Sequence, residues 1–460
     1  MDDLIRRLRS ALGDDAVLDA HDVARRSAGV RRKDTLKAAL LVRPRDTQEV
    51  STTMRLCHQA NVAVVPQGGL TGLVRGADAA PTEVILSLER MRGIEAIDPL
   101  SRTVTVQAGV TLQALQEAIE PHQLAFPLDL SARGSCTIGG NVATNAGGNR
   151  VIRHGMMRDM VLGLEVVLAD GTVIDARNRL IKNNAGYDIK QLFIGSEGTL
   201  GIVTRAVLRL SEKPVSQQVA LLAVASFEKL ALLLKHMHRA LGGSLSAFEV
   251  MWPEFYEVVT TAPARSRPPL ARGHGYYVLV EGQGGDPDAD DARFEATLVR
   301  AGSDELIIDA VLARSQAERD ALWAIREDTG QLRRFEPISV FDVSLPIPAM
   351  PAYVDGVRRA LTTRGENARC VVFGHLGDGN LHVVVAGAGG DRDAVAQVER
   401  IVYGPLAEIG GSISAEHGIG LEKKAHLGIS RSSEEIALMR RLKHALDPHG
   451  ILNPGKVIDV

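Results

Sequence analysis

Three glycine-rich loops, each joined to a β-branched run, constrain this chain more than any other feature. In the first, Val64-Val65-Pro66-Gln67-Gly68-Gly69-Leu70-Thr71-Gly72-Leu73, a strand empties into a loop with three glycines and a threonine. Such a loop presents successive backbone N–H groups without Cβ obstruction, which suits a pyrophosphate. It is neither a Walker A loop nor a GxGxxG fingerprint, and a plain glycine turn explains it equally well. The second begins with Pro127-Leu128-Asp129-Leu130. It continues through Ser135-Cys136-Thr137-Ile138-Gly139-Gly140-Asn141-Val142-Ala143-Thr144-Asn145-Ala146-Gly147-Gly148-Asn149. Four glycines, three asparagines and small alcohols in that stretch supply donors at close approach, as a large polar cofactor requires. The third, Gly195-Ser196-Glu197-Gly198-Thr199-Leu200-Gly201-Ile202, enters a further strand.

At 460 residues the chain is too long for one small core, so two or three domains are expected. Hydrophobic residues at 45% and charged residues at 24% exclude a disordered or fibrous chain. The net charge of −3 and the lack of a basic stripe argue against a nucleic-acid partner. Cys57, Cys136 and Cys370 are isolated, which excludes a disulfide framework or an iron–sulfur site within the chain and suggests a reducing compartment. The acidic N-terminal stretch has neither the apolar centre of a signal peptide nor the character of a transit peptide, and apolar runs such as VALLAVA are too short to span a bilayer. A cytoplasmic protein without a transmembrane segment is the expectation.

Residues 1–45 read as a lead-in. From 46 to 214, short strands alternate with glycine clusters, and Glu212-Lys213-Pro214 marks a boundary. A second α+β domain is expected over 215–420, with a helix capped by Ser226, strands at Tyr276–Glu281, Glu305–Ala310 and Ile338–Ser344, and helices near 288–301, 315–335 and 348–364. Residues 421–460 hold a helix with Ser432 and Glu435 as a capping box.

Within the second domain, Phe373-Gly374-His375-Leu376-Gly377-Asp378-Gly379-Asn380-Leu381-His382-Val383-Val384 reads as a hairpin. If Asp378-Gly379 is a two-residue turn, His375 faces His382 and Val384 faces Phe373. Opposed residues have Cβ atoms about 4.5–5.5 Å apart, so the two imidazoles can share a metal ion; a hydrogen-bonded histidine pair is the alternative. Glu416-His417-Gly418, in GSISAEHGIG, adds a carboxylate and a third imidazole. In an extended stretch neighbours point to opposite sides, which separates a metal ligand from a base. Arg326, at the end of a helical run, reads by itself as a surface arginine.

The order of these motifs over residues 38–457 resembles the FAD-linked D-2-hydroxy acid dehydrogenases of the vanillyl-alcohol oxidase superfamily, in the D-2-hydroxyglutarate and D-lactate dehydrogenase branch. The resemblance implies an α+β architecture: a two-part FAD-binding domain, a substrate domain with a large antiparallel sheet, and a C-terminal helical segment returning to the FAD domain. It implies that Pro66, Gln67, Gly68, Gly69, Leu70, Thr71, Gly72 and Leu73 hold the pyrophosphate of FAD. The ribityl and isoalloxazine side falls to Pro127, Leu128, Ser135, Ile138, Gly139, Gly140, Ala143, Thr144, Asn145, Gly147 and Gly148, with Glu197, Gly201, Ile202 and Asn453 completing the site. A helix-ending turn explains Asn453 almost as well, and Tyr187 in Asn184-Ala185-Gly186-Tyr187-Asp188 reads as structural. Some relatives tether the flavin through a histidine; neither 66–76 nor 135–149 contains one, so FAD is expected to be non-covalent.

By the same resemblance His375, His382 and Glu416 bind a divalent metal, zinc first and manganese second. His417 takes the substrate hydroxyl proton and Arg326 clamps the substrate carboxylate. The chain departs from the D-2-hydroxyglutarate branch at three places. Val340 stands where a lysine is usual, Val384 where an asparagine is, and Gly330 where a threonine is. An apolar side-chain pocket is therefore expected at Val340 and Val384. The implied acceptor is a quinone or an electron-transfer flavoprotein, not NAD; a homodimer is compatible with the sequence. Two other readings are a metal-dependent hydrolase, which gives the glycine loops no role, and the flavin subunit of a glycolate-oxidase-like complex with a separate iron–sulfur partner.

Overall fold

The computed structural model describes residues 1–30, 32–363 and 368–460, which divide into two compact units. The first comprises Met1–Gly148, Gly155–Lys213 and Glu416–Val460; the second comprises Asn149–His154 and Pro214–Ala415.

In the first unit a four-stranded sheet has the order Val17–Asp19, Leu40–Val42, Val84–Ser87, Val64–Gln67, parallel except for its first strand. Helix Thr47–Ala60 makes the crossover, started by the Asp46 carboxylate accepting from the N–H of Glu49 and stopped at Asn61 in a left-handed conformation. Residues 1–45 do more than lead in. Leu4, Leu8 and Leu12 lie one turn apart on helix Asp2–Leu12 and pack into one core with Val50, Met54 and Val64. A second, antiparallel sheet runs Ile94–Asp98, Thr103–Gln107, Ile202–Arg209, Val161–Val167, Val173–Ala176. The third segment of the chain ends in helix Ser433–Leu446, with the Ser432/Glu435 capping box formed.

The second unit is built on a seven-stranded antiparallel sheet. Its order is Asp309–Leu312, Ser216–Val224, Tyr276–Gly284, Leu245–Met251, Arg369–His375, Asn380–Ala386, Ile338–Ser344. The strand expected at Glu305–Ala310 begins four residues later and ends two later, as the shorter Asp309–Leu312. Leu245–Met251 is buried at every position, so both of its faces are covered. On one face Phe255 stacks on Phe373 at 4.2 Å between ring centroids and Tyr256 on Tyr277 at 3.7 Å. The six residues Asn149–His154 are bound here by Arg150, whose Nε and Nη2 donate to the two oxygens of Glu281 at 2.8 and 3.1 Å. Ser246, Gln217 and Trp323 also donate to that buried carboxylate. Among the described residues no helix is long and apolar enough to cross a membrane.

Candidate active site

In the first unit the glycine loops owe their composition to contact with each other. A Cβ on Gly69 would overlap the carbonyl of Ser135, one on Gly68 would overlap the hydroxyl of Thr137, and one on Gly148 would overlap the carbonyl of Asp129. Gly72 has open space on the side where a Cβ would sit. Leu70, Asn145, Glu197 and Asn453 all have φ between 44° and 54°. Left-handed backbone at residues other than glycine is costly and gathers at functional sites, and here it falls in four segments far apart in sequence.

Asn453 ties those segments together. Its N–H donates to the carbonyl of Val64 at 2.8 Å, and its Nδ2 donates to the carbonyls of Gly76 and Glu197 at 3.1 and 2.7 Å. Its Oδ1 is buried and meets no donor among the described residues, so an acceptor is left over for a ligand. Glu197 accepts from the N–H groups of Ile419 and Gly420 at 2.6 and 2.8 Å; burial pushes its carboxyl up against those two bonds. These features fit a large polar cofactor with both donors and acceptors. Not every residue expected there offers its side chain, however. Leu128, Ile138 and Ile202 are committed to apolar cores, and Gln67 donates to the carbonyl of Ala77, so these positions serve through backbone and support. Pro66, Leu70, Thr71, Gly72, Leu73, Ser135, Thr144 and Asn145 keep accessible surface. Tyr187 is 97% exposed and supports no core.

In the second unit the hairpin differs from the expected one. Residues Leu376–Gly379 form a four-residue loop, with Gly379 left-handed at φ 84°, so His375 pairs with Asn380, Phe373 with His382 and Val371 with Val384. The turn is longer because Leu376–Asp378 closes as a 3₁₀ turn before the glycine. Lengthening the turn by two residues preserves the alternation of faces, so His375 and His382 still share one face as diagonal neighbours. Their Nε2 atoms are 3.3 Å apart.

Two nitrogens bound to one tetrahedral ion at about 2.0–2.1 Å lie about 3.3–3.4 Å apart. An imidazole–imidazole hydrogen bond spans a similar distance, and the two arrangements differ in where they place the ring protons. Glu249 Oε1 lies 2.7 Å from His375 Nδ1, which assigns the proton to Nδ1 and leaves a lone pair on Nε2. A hydrogen bond from His382 Nε2 would then turn the lone pair of His382 Nδ1 toward Asp342 Oδ1, 4.0 Å away. A shared ion places an N–H there instead.

Arg326 is 5% exposed, which removes the surface reading. Its Nε donates to Glu249 Oε2 at 2.8 Å, its guanidinium lies 4.8 Å from the centroid of the Phe373 ring, and Nη2 approaches the same Glu249 oxygen at 2.7 Å without hydrogen-bond alignment. A buried, underused guanidinium edge suits a ligand carboxylate. Burial pushes the Glu249 carboxyl up, but His375 and Arg326 outweigh it and hold it below the usual range. Asp378, in the turn, is pushed up to about 6 by burial.

Val340 pairs with Val384 on the histidine face of the sheet. Val384 is 1% exposed and belongs to the core with Val371 and Phe373, whereas Val340 is 51% exposed and is the one that presents apolar surface. Glu416 and His417 open the last segment of the first unit. The backbone bends through Ala415, Glu416 and His417, so the alternation of an extended strand does not apply to them.

The comparisons with known proteins agree with this frame. The structure is similar to p-cresol methylhydroxylase with bound substrate (TM-score 0.80, 16% identity, 100% of this chain and 97% of that one). It is also similar to the 4-ethylphenol oxidase of Gulosibacter chungangensis (TM-score 0.76, 19% identity, 99% and 96%). Residues 38–177 match the family model of an FAD binding domain. The protein therefore has the vanillyl-alcohol oxidase architecture with an FAD binding domain. Residues 213–457, more than half the chain, match the model of the FAD linked oxidases, C-terminal domain, and the chain belongs to that family. It is 44% identical to the D-2-hydroxyglutarate dehydrogenase of Xanthomonas citri pv. viticola (93% of this chain, 91% of that one). It is 43% identical to the mitochondrial D-2-hydroxyglutarate dehydrogenase of Bos taurus (91% and 76%). A mitochondrial protein of Schizosaccharomyces pombe with a provisional D-lactate dehydrogenase name is 39% identical (92% and 82%).

Proposed function

We propose that the protein oxidises D-2-hydroxy acids to 2-oxo acids with non-covalent FAD and a divalent ion, and passes the electrons to a quinone or an electron-transfer flavoprotein. The observation that carries the reading is the chain of contacts Arg326–Glu249–His375–His382, buried at its first three members, which links a guanidinium suited to a carboxylate, on helix Gln316–Glu327, to a metal-competent imidazole pair on the sheet. Relatives named for D-2-hydroxyglutarate and D-lactate support the substrate class. FAD, when bound, would supply a two-electron acceptor for the Cα hydrogen, and an ion held by His375 and His382, with Glu416 proposed as third ligand, would supply a Lewis acid for the hydroxyl oxygen.

The chain's own residues do the rest. Arg326 binds the substrate carboxylate and fixes which face of Cα is presented. An unprotonated ring nitrogen of His417 takes the hydroxyl proton, while the C–H electron pair leaves Cα and the carbonyl forms. Glu416 and His417 follow four and five residues after Ser412, whose backbone pairs with Ser344 on the strand that carries Asp342. That tether supports their place in the reaction. Because no histidine lies in either glycine loop, mild denaturation is expected to release FAD intact; yellow colour left on the polypeptide would refute this.

Substrate choice follows from Val340. A distal carboxylate beside an apolar surface loses hydration without replacement. D-2-Hydroxyglutarate is expected to be accepted, with D-lactate or a longer apolar D-2-hydroxy acid competing well and the L enantiomers poor. Anaerobic flavin bleaching with a panel of acids tests this. A preference above about 10³ for D-2-hydroxyglutarate, roughly 4 kcal/mol, would mean that another cation meets the distal carboxylate.

A further inference from the structure

Glu249 does two things at once. It is 1% exposed, near the middle of strand Leu245–Met251, and pairs in register with His375. One oxygen lies 2.7 Å from His375 Nδ1, and the other accepts from Arg326 Nε at 2.8 Å. The neighbouring side chains leave it little freedom. The residue is fully inside the sheet, Phe373 lies under the guanidinium, and Asn380, which pairs with His375, donates to Asp342 and to the carbonyl of Val343.

We infer that Glu249 is a positioning residue that couples the two recognition events of the site, ion binding at the imidazole pair and carboxylate binding at Arg326. The inference rests on the function proposed above. The Oε1 contact keeps the His375 proton on Nδ1 and the Nε2 lone pair turned toward His382, as an orienting carboxylate does for a metal-bound imidazole. The Oε2 contact occupies one edge of the Arg326 guanidinium and so fixes the direction of the other edge. Because both contacts use a single delocalised carboxylate, a change in charge at either end alters the acceptor strength offered to the other. Ion and hydroxy acid are then linked thermodynamically, and the linkage is reciprocal.

A glutamine in this position can satisfy only one side. With its oxygen toward His375, its NH₂ faces the N–H of Arg326, donor against donor. With its oxygen toward Arg326, its NH₂ faces Nδ1 and forces the proton onto His375 Nε2, removing the lone pair a metal needs. Glu249→Gln keeps volume and shape, so a purely structural role predicts little change in either affinity.

The experiment uses the purified FAD-bound enzyme and titrates Zn²⁺ against a competing chelator, with anaerobic flavin reduction by D-lactate followed in parallel. Wild type is first shown to bind about one ion, and an enzyme that binds none overturns the function proposed above and this coupling with it. Given that ion, Glu249→Gln is expected to weaken Zn²⁺ affinity about 10- to 100-fold, the usual effect of losing an outer-shell partner, and to raise KM for the hydroxy acid. Unchanged affinity and unchanged KM overturn the coupling alone. Should Glu249→Gln fail to fold, Arg326→Gln decides. Arg326 touches no ligand nitrogen, yet its loss is expected to change Zn²⁺ affinity at least about threefold through Glu249, and an unchanged value overturns the coupling.

Discussion

His417→Ala is expected to slow flavin reduction by about 10² to 10⁴ while the divalent ion stays bound, since a positioned general base is typically worth that factor. The substrate hydroxyl is a poor proton donor to water, so without the imidazole its proton has no nearby acceptor when the C–H bond breaks. Stopped-flow reduction under anaerobic conditions, with metal content measured on the same sample, checks the result. Loss of the ion would show instead that the roles of Glu416 and His417 are exchanged, an exchange the bent backbone at these two residues leaves open.

His382→Ala is the more severe lesion. His382 is the imidazole whose removal leaves the Glu249 network intact, because Glu249 contacts His375 and Arg326. The variant is expected to fold, to retain FAD in the loops around Gly68 and Gly140, and to lose both the ion and turnover. Truncating His375 would confuse the test, since it removes one of the two contacts that hold the buried Glu249 carboxylate, a charge-assisted hydrogen bond worth about 1.5–3 kcal/mol. Elemental analysis and turnover of His382→Ala, beside chelator-treated wild type, give the outcome. Full activity in demonstrably metal-free enzyme would remove the imidazole pair from the reaction.

The histidine pair was legible in the sequence for a reason that survived a wrong detail. A residue's face in a hairpin depends only on whether a change in loop length is even or odd, so a four-residue loop in place of a two-residue turn changed every partner and no face. The glycine loops were legible as places of close backbone approach, and at Gly68 and Gly69 the approach that the structure shows is that of one loop to another.

Glu249 was not legible. Its signal was present, a lone carboxylate in the otherwise uncharged run Leu245–Met251, which must find partners if the strand is buried. Its partners lie 77 and 126 residues away, and only the order of strands in the sheet brings them together. Arg326 was readable only through family likeness, because a helix-terminal arginine in isolation has every reason to be solvated. The six residues Asn149–His154 gave no sign that they belong with a different unit from the loop they continue.

The threading of the chain has a consequence for how the protein is made. The first unit is assembled from three stretches, and the last begins at Glu416, so translation reaches it only after every residue of the second unit has been synthesised. Asn453, seven residues from the final residue, supplies the bonds that join the strand at Val64 to the loops at Gly76 and Glu197. A nascent chain that has emerged only as far as Ala415 therefore holds every strand of the second unit's sheet and lacks the residue that clasps the nucleotide cradle. Domains fold as units in the order they emerge, and here the cradle's clasp emerges after the whole of the second unit. Flavin loading therefore waits on the stretch that begins at Glu416, and a chain cut at Ala415 is expected to retain no FAD.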